Sequence, residues 1–134
     1  MDAIISQIRI ARPVRDLSAI RKFYVDGLGL TVIGHFEQHH GISGIMLGMP
    51  DAGTHLEFTQ HEETIETQVP SADHLLVLYL ADHSDYLRLC SRLDAMGYSP
   101  LVLANPYWRN GATTFADPEG WRIVLVDRAG FSTS

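Results

Sequence analysis

One segment occurs twice in this chain, and that repeat constrains the fold more than any other feature. Sliding the 134-residue sequence by 67 positions places residues 44–59 on residues 111–126. Each copy reads as a strand, a tight turn closed by a glycine (Gly53 or Gly120) and a second strand. A duplicated half-domain normally forms its functional cleft where the halves meet, so we expect function at that junction.

The elements around the repeat follow the same order in both halves. A strand at 4–11, a helix with the apolar stripe Leu17, Ile20 and Leu28, and three β segments near 31–38, 43–48 and 54–60 form the first half. A strand at 73–81, a helix opening at Ser84, and β segments near 99–104, 112–116 and 121–127 form the second. We therefore expect one α+β domain over 1–134, with βαβββ modules at 4–60 and 73–127 and a polar linker at 61–72.

Composition excludes several classes of protein. The net charge of −6 argues against nucleic-acid binding, which needs clustered Lys and Arg. The longest apolar runs are far shorter than the roughly 20 residues that span a bilayer, and we see no secretory signal. The lone Cys90 allows no intrachain disulfide and fits a reducing compartment. We expect a cytoplasmic protein without a membrane or nucleic-acid partner.

Two motifs carry a family resemblance over about residues 4–127. The first is Val14-Arg15-Asp16-Leu17 leading into Phe23-Tyr24 and Gly27-Leu28-Gly29-Leu30; the second is the Asp-Pro-x-Gly hairpin within residues 115–125. The chain resembles the vicinal oxygen chelate superfamily, which includes glyoxalase I, extradiol dioxygenases and the bleomycin and fosfomycin resistance proteins. This resemblance implies that the curved mixed sheets of two βαβββ modules form a half-open barrel around a cavity, with helices outside, in a homodimer.

The same resemblance implies where a divalent metal would bind. By position, the four ligand places are Arg9, Glu57, His74 and Val124. Glu57 and His74 suit a metal, but an arginine offers only donors and a valine has no ligand atom. Catalytic zinc sites usually have three protein ligands. We therefore expect no functional metal or other cofactor, and an ion pair between Arg9 and Glu57.

Strand alternation assigns further residues to the cavity. Leu56 and Phe58 would face the helix, while His55, Glu57 and Thr59 would face the cavity. His55 and His74 could contact a ligand, act as a general base, or be hydrogen-bonded structural residues. Met46 is expected in the core.

The arginines and one aromatic loop each allow two interpretations. Arg9 and Arg122 could hold a carboxylate, phosphate or enolate oxygen; alternatively, Arg9 only neutralises Glu57 and Arg122 reaches solvent. Tyr107 and Trp108 could line the cavity mouth, or they could pack under their loop or at a dimer interface.

These observations lead to one functional hypothesis and two rivals. The hypothesis is a small organic molecule, with an anion as one candidate, bound in the cleft without a metal. Its binding residues would be Arg9, His55, Glu57, His74, Tyr107, Trp108 and Arg122, and no catalytic residue is assigned. The first rival is a metal-dependent lyase, isomerase or dioxygenase in which Glu57 and His74 are joined by a third ligand such as His55. The second is a structural or regulatory module with a filled cleft.

Overall fold

The chain divides into two compact units, Met1–Gln68 and Val69–Ser134. A computed structural model describes residues 4–48, 53–63, 70–102 and 110–131. The division between the units falls inside the segment expected to be the linker, 61–72. In the described residues, no helix has the length and apolar character needed to cross a membrane.

A four-stranded mixed sheet forms the first unit. Its strands are β1 (Ile8–Pro13), β2 (Thr31–His39), β3 (Ile42–Gly48) and β4 (Thr54–His61), in the order β1-β4-β3-β2. The pairing of β1 with β4 is parallel, and the other two pairings are antiparallel. The two edge strands are therefore β1 and β2.

A short helix covers one face of this sheet. Helix α1 (Leu17–Arg21) starts at Asp16, whose carboxylate accepts from the Ala19 amide, and it continues as a π-helical segment, Lys22–Gly27. The wider π turn lets two adjacent aromatics, Phe23 and Tyr24, both be fully buried. The Tyr24 ring lies 4.6 Å from the Phe58 ring, so this face of the sheet is the core side, as expected for Phe58.

The second unit repeats the plan with a three-stranded sheet. Its elements are β5 (Leu75–Tyr79), α2 (His83–Ala95), β6 (Ala112–Ala116) and β7 (Arg122–Val126), with the strands in the order β5-β7-β6. Leu101 adds an isolated bridge to Thr114, at the place of the β segment expected near 99–104. The core on the α2 side contains Leu93, Phe115, Ile123 and Leu125, all fully buried.

The α+β class is confirmed, and the helices and strands follow the expected order. Several boundaries differ from expectation, and the segment expected near 99–104 shows only the Leu101 bridge among its described residues. Strand β1 begins at Ile8 and runs through Pro13. Proline is tolerated there because β1 is an edge strand, and the bond to Thr59 of β4 comes from the amide of Val14, the residue after Pro13. Strand β5 begins at Leu75 rather than 73.

Helix α2 also begins earlier than expected. It starts at His83 because the Asp82 carboxylate, not Ser84, caps it and accepts from the Ser84 and Asp85 amides.

The strand registers show how the two units correspond. A shift of 67 relates β4 to β7, so that His55 corresponds to Arg122 and Glu57 to Val124. Met46 of β3 pairs with Glu57, and Thr114 of β6 pairs with Val124. Strands β3 and β6 are therefore related by a shift of 68 residues. The shift between β1 and β5 is 66, since Arg9 pairs with His55 and Leu75 pairs with Arg122.

Candidate functional site

Polar groups gather on the face of the first sheet that points away from the α1 core. Arg9 is the parallel partner of His55, and Glu57 lies two residues further along β4, so all three side chains share one face. We call this surface the Arg9 face. His55 and Glu57 were expected to face away from the helix, and the structure places them so.

Arg9 joins the other two side chains of the cluster. Its Nε–H donates to His55 Nε2 at 2.8 Å, and its Nη1 donates to Glu57 Oε2 at 3.3 Å. The Arg9 side chain is 50% exposed and that of Glu57 17% exposed. The expected ion pair is therefore present. Two of the five guanidinium N–H groups are used within the described residues, and the outward end of the guanidinium faces solvent.

His55 is held as the neutral tautomer. Arg9 always donates, so His55 Nε2 must accept, and the imidazole proton must sit on Nδ1. His55 is only 6% exposed, and within the described residues its buried Nδ1 has no hydrogen-bond partner. Neither ring nitrogen therefore presents a lone pair to a ligand.

This chemistry does not fit the divalent metal implied by the superfamily. Arg9 puts cationic donors at one ligand place, and a fully buried valine, Val124, occupies another. His55 has no lone pair left, so Glu57 is the one metal-binding group of the cluster. The described residues contain no group of three His, Cys, Asp or Glu side chains that could hold an ion.

The corresponding surface of the second sheet is largely apolar, although Thr114, the partner of Val124, and Arg122 also lie on it. It carries Leu75, Val77, Val124 and Val126, with Tyr79 and Ala112 packed beside them. We call this surface the Val124 face. By register, Leu75 corresponds to Arg9, and Arg122, the counterpart of His55, bonds the Gly120 carbonyl through Nη1. The second unit therefore repeats the backbone of the Arg9 face without its polar cluster.

His74 lies just before β5 rather than within it. Its Nδ1 is 3.4 Å from the Ser71 amide and 3.3 Å from Ser71 Oγ, and its exposed ring stacks on Trp121 at 6.1 Å. The pairing makes Leu75, not His74, the counterpart of Arg9. Tyr107 and Trp108, the other predicted contacts, lie outside the described residues.

A second polar cluster lies between α2 and its sheet. Tyr86 Oη and Thr113 Oγ1 are 2.6 Å apart, and Cys90 lies within hydrogen-bonding reach of both. Burial raises the pKa of the Cys90 thiol and of the Tyr86 phenol, and hydrogen bonding to Thr113 opposes the shift in both. A thiol that stays protonated is a poor nucleophile, so this cluster is structural.

Comparison with known proteins agrees with this duplicated architecture. Residues 8–59 match the YycE-like N-terminal domain, and residues 73–127 match the YycE-like C-terminal domain. YycE of Bacillus subtilis (strain 168) is 47% identical over 127 residues, which cover 95% of this chain and 91% of that protein. This chain belongs to the YycE-like family.

Solved structures place the YycE-like chain in the vicinal oxygen chelate superfamily. A crystal structure of Bacillus subtilis YycE matches with a TM-score of 0.90 and 46% identity, covering 97% of this chain and 95% of that one. A glyoxalase/bleomycin resistance protein from Streptomyces sp. CB03234 matches with a TM-score of 0.61 and 25% identity, covering 91% and 100%. The fosfomycin resistance protein FosX of Mesorhizobium loti shares the fold, with a TM-score of 0.66, 20% identity and coverage of 93% and 91%. The superfamily resemblance is thereby confirmed.

Sequence reasoning about this YycE-like chain missed two features of the Arg9 face. It paired Arg9 with Glu57 but not with His55, because that bond depends on the parallel register of strands 46 residues apart. It also placed Met46 in the core. Met46 is only partly buried and is the direct antiparallel partner of Glu57, so it lies on the Arg9 face. The side of the sheet on which Met46 lies could have been predicted from Glu57 if the pairing of β3 with β4 had been known.

Proposed function

We propose that this YycE-like protein binds a small organic anion on the Arg9 face, without a resident metal. The observation that carries the proposal is the bonding of Arg9. One edge of its guanidinium is fixed by His55 and Glu57, while the half-exposed end retains N–H donors. A fixed guanidinium with outward donors suits the planar oxygens of a carboxylate or phosphonate.

Glu57 orients Arg9 in this proposal. Its carboxylate, 3.3 Å from Nη1, also offsets part of the guanidinium charge, so the ligand is held by the directed N–H donors of Arg9 rather than by net positive charge. The preorganised side chain then loses little rotamer entropy on binding, which favours affinity. His55 contributes by accepting from Nε and so fixing the plane of the guanidinium.

The metal-dependent alternative lacks support from the described residues. Glu57 already pairs with Arg9, His55 has no lone pair to offer, and the His74 Nδ1 lies against Ser71. Binding of an anion without catalysis requires no metal-coordinating side chains. We therefore propose binding as the activity and assign no catalytic residue.

The wider setting of the site is part of the same proposal. Superfamily resemblance favours a homodimer, and His74, Tyr107, Trp108 and Arg122 remain proposed further contacts of the ligand. The lone cysteine favours a reducing compartment, so we propose a cytoplasmic location. Size-exclusion chromatography with light scattering measures the assembly directly.

Thermal melting with matched acids and amides tests the proposed function. Small carboxylates and phosphonates should raise the melting temperature of the wild-type chain, and the matching amides should not. Arg9→Gln should abolish the increase, whereas Arg128→Gln, which removes the same charge from an exposed position of the second unit, should retain it.

Elemental analysis of the purified protein completes that experiment. Less than stoichiometric divalent metal is expected in the wild type. A stoichiometric metal that is lost in both Glu57→Gln and His74→Ala would contradict the proposal and favour the metal-dependent enzyme.

A further inference from the structure

The Arg9 face has an apolar half beside its polar cluster. The polar residues lie on β1 and β4, and β3 and β2 continue the same face with Met46, Gly44, Gly34 and Phe36. Met46 is the direct partner of both Glu57 and Gly34, and Gly44 is the partner of Phe36. Adjacent strands lie about 4.8 Å apart, so the apolar half begins one strand away from Glu57.

Three glycines in this half are each covered by an apolar side chain from the neighbouring strand. A Cβ added to Gly44 would lie 2.4 Å from the Phe36 ring, and one added to Gly34 would lie 2.7 Å from the Met46 methyl group. Contacts this short mean that a side chain at either glycine would displace the residue that covers it. The missing Cβ atoms therefore let Phe36 and Met46 lie down on the sheet.

A β-bulge adds a third apolar side chain to the surface. The register passes from Val32–Leu47 to Gly34–Met46, which leaves Ile33 as an extra residue on β2. A Cβ added to Gly48 would lie 3.4 Å from the Ile33 δ-methyl, so Ile33 lies over Gly48, the partner of His55. Ile33 is 51% exposed, so part of its side chain is accessible to a ligand.

Together, Ile33, Met46 and Phe36 form an apolar floor, and Arg9 provides a cation at its border. We infer that the ligand of the proposed site is an aromatic acid, whose ring rests on this apolar floor while its carboxylate meets Arg9. The inference rests on the proposed function and adds the class of ligand. Flat rings suit a floor built from a phenyl ring, a thioether and side chains laid along the sheet.

The spacing of the surface fits such a molecule. Gly44, under the Phe36 ring, is one strand and two residues away from Glu57, a separation of about 8 Å along the sheet. The Arg9 guanidinium lies beside Glu57, so a bicyclic aromatic acid can reach from it to the apolar floor across that distance. A short aliphatic acid would reach Arg9 alone.

Titration of the isotope-labelled full chain with three probes tests the inference. 2-Naphthoate carries the ring and the charge, butyrate carries the charge alone, and 2-naphthamide carries the ring alone. Dissociation constants come from amide chemical shifts. 2-Naphthoate should bind at least about tenfold more tightly than butyrate, since ring burial adds apolar contact area.

Variants of the apolar floor separate the ring contact from the charge contact. Ile33→Ser, at an exposed position, should weaken 2-naphthoate about three- to tenfold and leave butyrate within about twofold. Gly44→Ala should weaken 2-naphthoate by displacing Phe36. Gly130→Ala is its matched control, because no atom lies within 4 Å of the added methyl position. Arg9→Gln should weaken both acids.

The possible outcomes distinguish this inference from the proposed function. Equal affinity for 2-naphthoate and butyrate, unchanged by Ile33→Ser, would overturn the inference and leave the proposed function standing. Hexanoate, a fourth probe, carries the charge on a longer aliphatic chain, and tighter binding of hexanoate than of 2-naphthoate would replace the aromatic class by an aliphatic one. Equal binding of 2-naphthamide and 2-naphthoate, unaffected by Arg9→Gln, would overturn the proposed anion site. Failure of every probe to bind would overturn both.

Discussion

The two units carry different chemistry on corresponding surfaces. Arg9 and Glu57 of the first sheet have Leu75 and Val124 as their counterparts in the second. The Arg9 face is partly open and holds an ion pair, whereas Val124 and its neighbour Val126 are almost fully buried. The backbone plan is shared, so it does not depend on which side chains occupy this surface.

The opposite faces of the sheets are far more alike. Phe58 and its counterpart Leu125 are both buried on the helix side, as are Leu47 and its counterpart Phe115. These residues define each fold by burying apolar area, roughly 25 cal/mol per Å² removed from water. The helix-facing core therefore maintains the repeat, while the other face carries different side chains in the two units.

The largest expected effect comes from placing a carboxylate on the Val124 face. Val124→Glu puts a charge at a fully buried position and should cost about 4 kcal/mol in free energy of unfolding. Adding Leu75→Arg should recover about 1–3 kcal/mol. By strand register, position 75 lies relative to position 124 as Arg9 lies relative to Glu57, so the two new side chains can form an ion pair. Urea denaturation of the single and double variants measures this coupling.

The reverse exchange in the first unit is the control. Glu57→Val should cost no more than about 1 kcal/mol, because the ion pair with Arg9 is half-exposed. Equal costs for Val124→Glu and Glu57→Val would break the contrast between the two faces.

Truncation of the helix-facing core should affect both units alike. Phe58→Ala and Leu125→Ala should each lower the free energy of unfolding by about 3–4 kcal/mol, through lost burial and the cavity left behind. Urea unfolding followed by circular dichroism measures both, with exposed Leu87→Ala as the control. A loss below about 1 kcal/mol for either variant would show that its sheet is not held by this core.

The core side also differs between the units at one position. Thr113 pairs with Leu125 where Ile45 pairs with Phe58, so the second unit has a hydroxyl where the first has a hydrocarbon.

The pKa of Cys90 lies above its ordinary value of 9.0 because burial disfavours the thiolate. Alkylation by iodoacetamide should therefore be slower in the folded chain than in urea at pH 8.

The hydroxyl of Thr113 provides the internal test of that explanation. Hydrogen bonding to Thr113 lowers the Cys90 pKa, so Thr113→Val should slow alkylation further and move its pH midpoint upward. A faster reaction in Thr113→Val would mean that access to the thiol, rather than its pKa, sets the rate.

The smallest expected effect concerns the helix caps. Hydrogen bonds from the Ser84 side chain and amide lower the pKa of Asp82 below its ordinary 3.8. Because the pKa of Asp82 is lower in the folded than in the unfolded state, its ionised carboxylate stabilises the fold above the unfolded-state pKa. This stabilisation is lost as the pH falls through the folded-state pKa. Asp82→Ala should therefore reduce the melting temperature at pH 6, and the difference from wild type should shrink below pH 3.8.

Asp16→Ala is the matched cap variant in the first unit. A difference between wild type and Asp82→Ala that stays constant with pH would show that the carboxylate is not the group responsible.

Much of the fold could be predicted from the sequence because local signals specify it. The strand at 112–116, the glycine that ends α2 and the helix-facing Phe58 follow from periodicity and turn chemistry, and the structure confirms them. Gly97 has a φ of +98°, which explains the glycine at that helix end. The Arg9–Glu57 pair was also predictable, since the superfamily resemblance places both residues at ligand positions of one cavity.

The remainder depends on small offsets between strands that no ungapped alignment reveals. The shifts between corresponding strands are 66, 67 and 68 residues, and the shift of 66 makes Leu75, not His74, the counterpart of Arg9. The bulge at Ile33 reverses the facing of one side chain, and the π-helical segment buries two adjacent aromatics. Each feature is set by tertiary packing, so local patterns in the sequence do not determine it.

The side-chain NMR signal of Arg9 tests the central claim most directly. Titration of metal-free protein with 2-naphthoate should shift the Arg9 Nε–Hε resonance in a saturable manner, with the signal absent from Arg9→Lys spectra. The resonance should remain protected by its bond to His55 throughout the titration. An unchanged Arg9 signal, together with tight binding of one divalent metal that Glu57→Gln abolishes, would contradict a metal-free anion site.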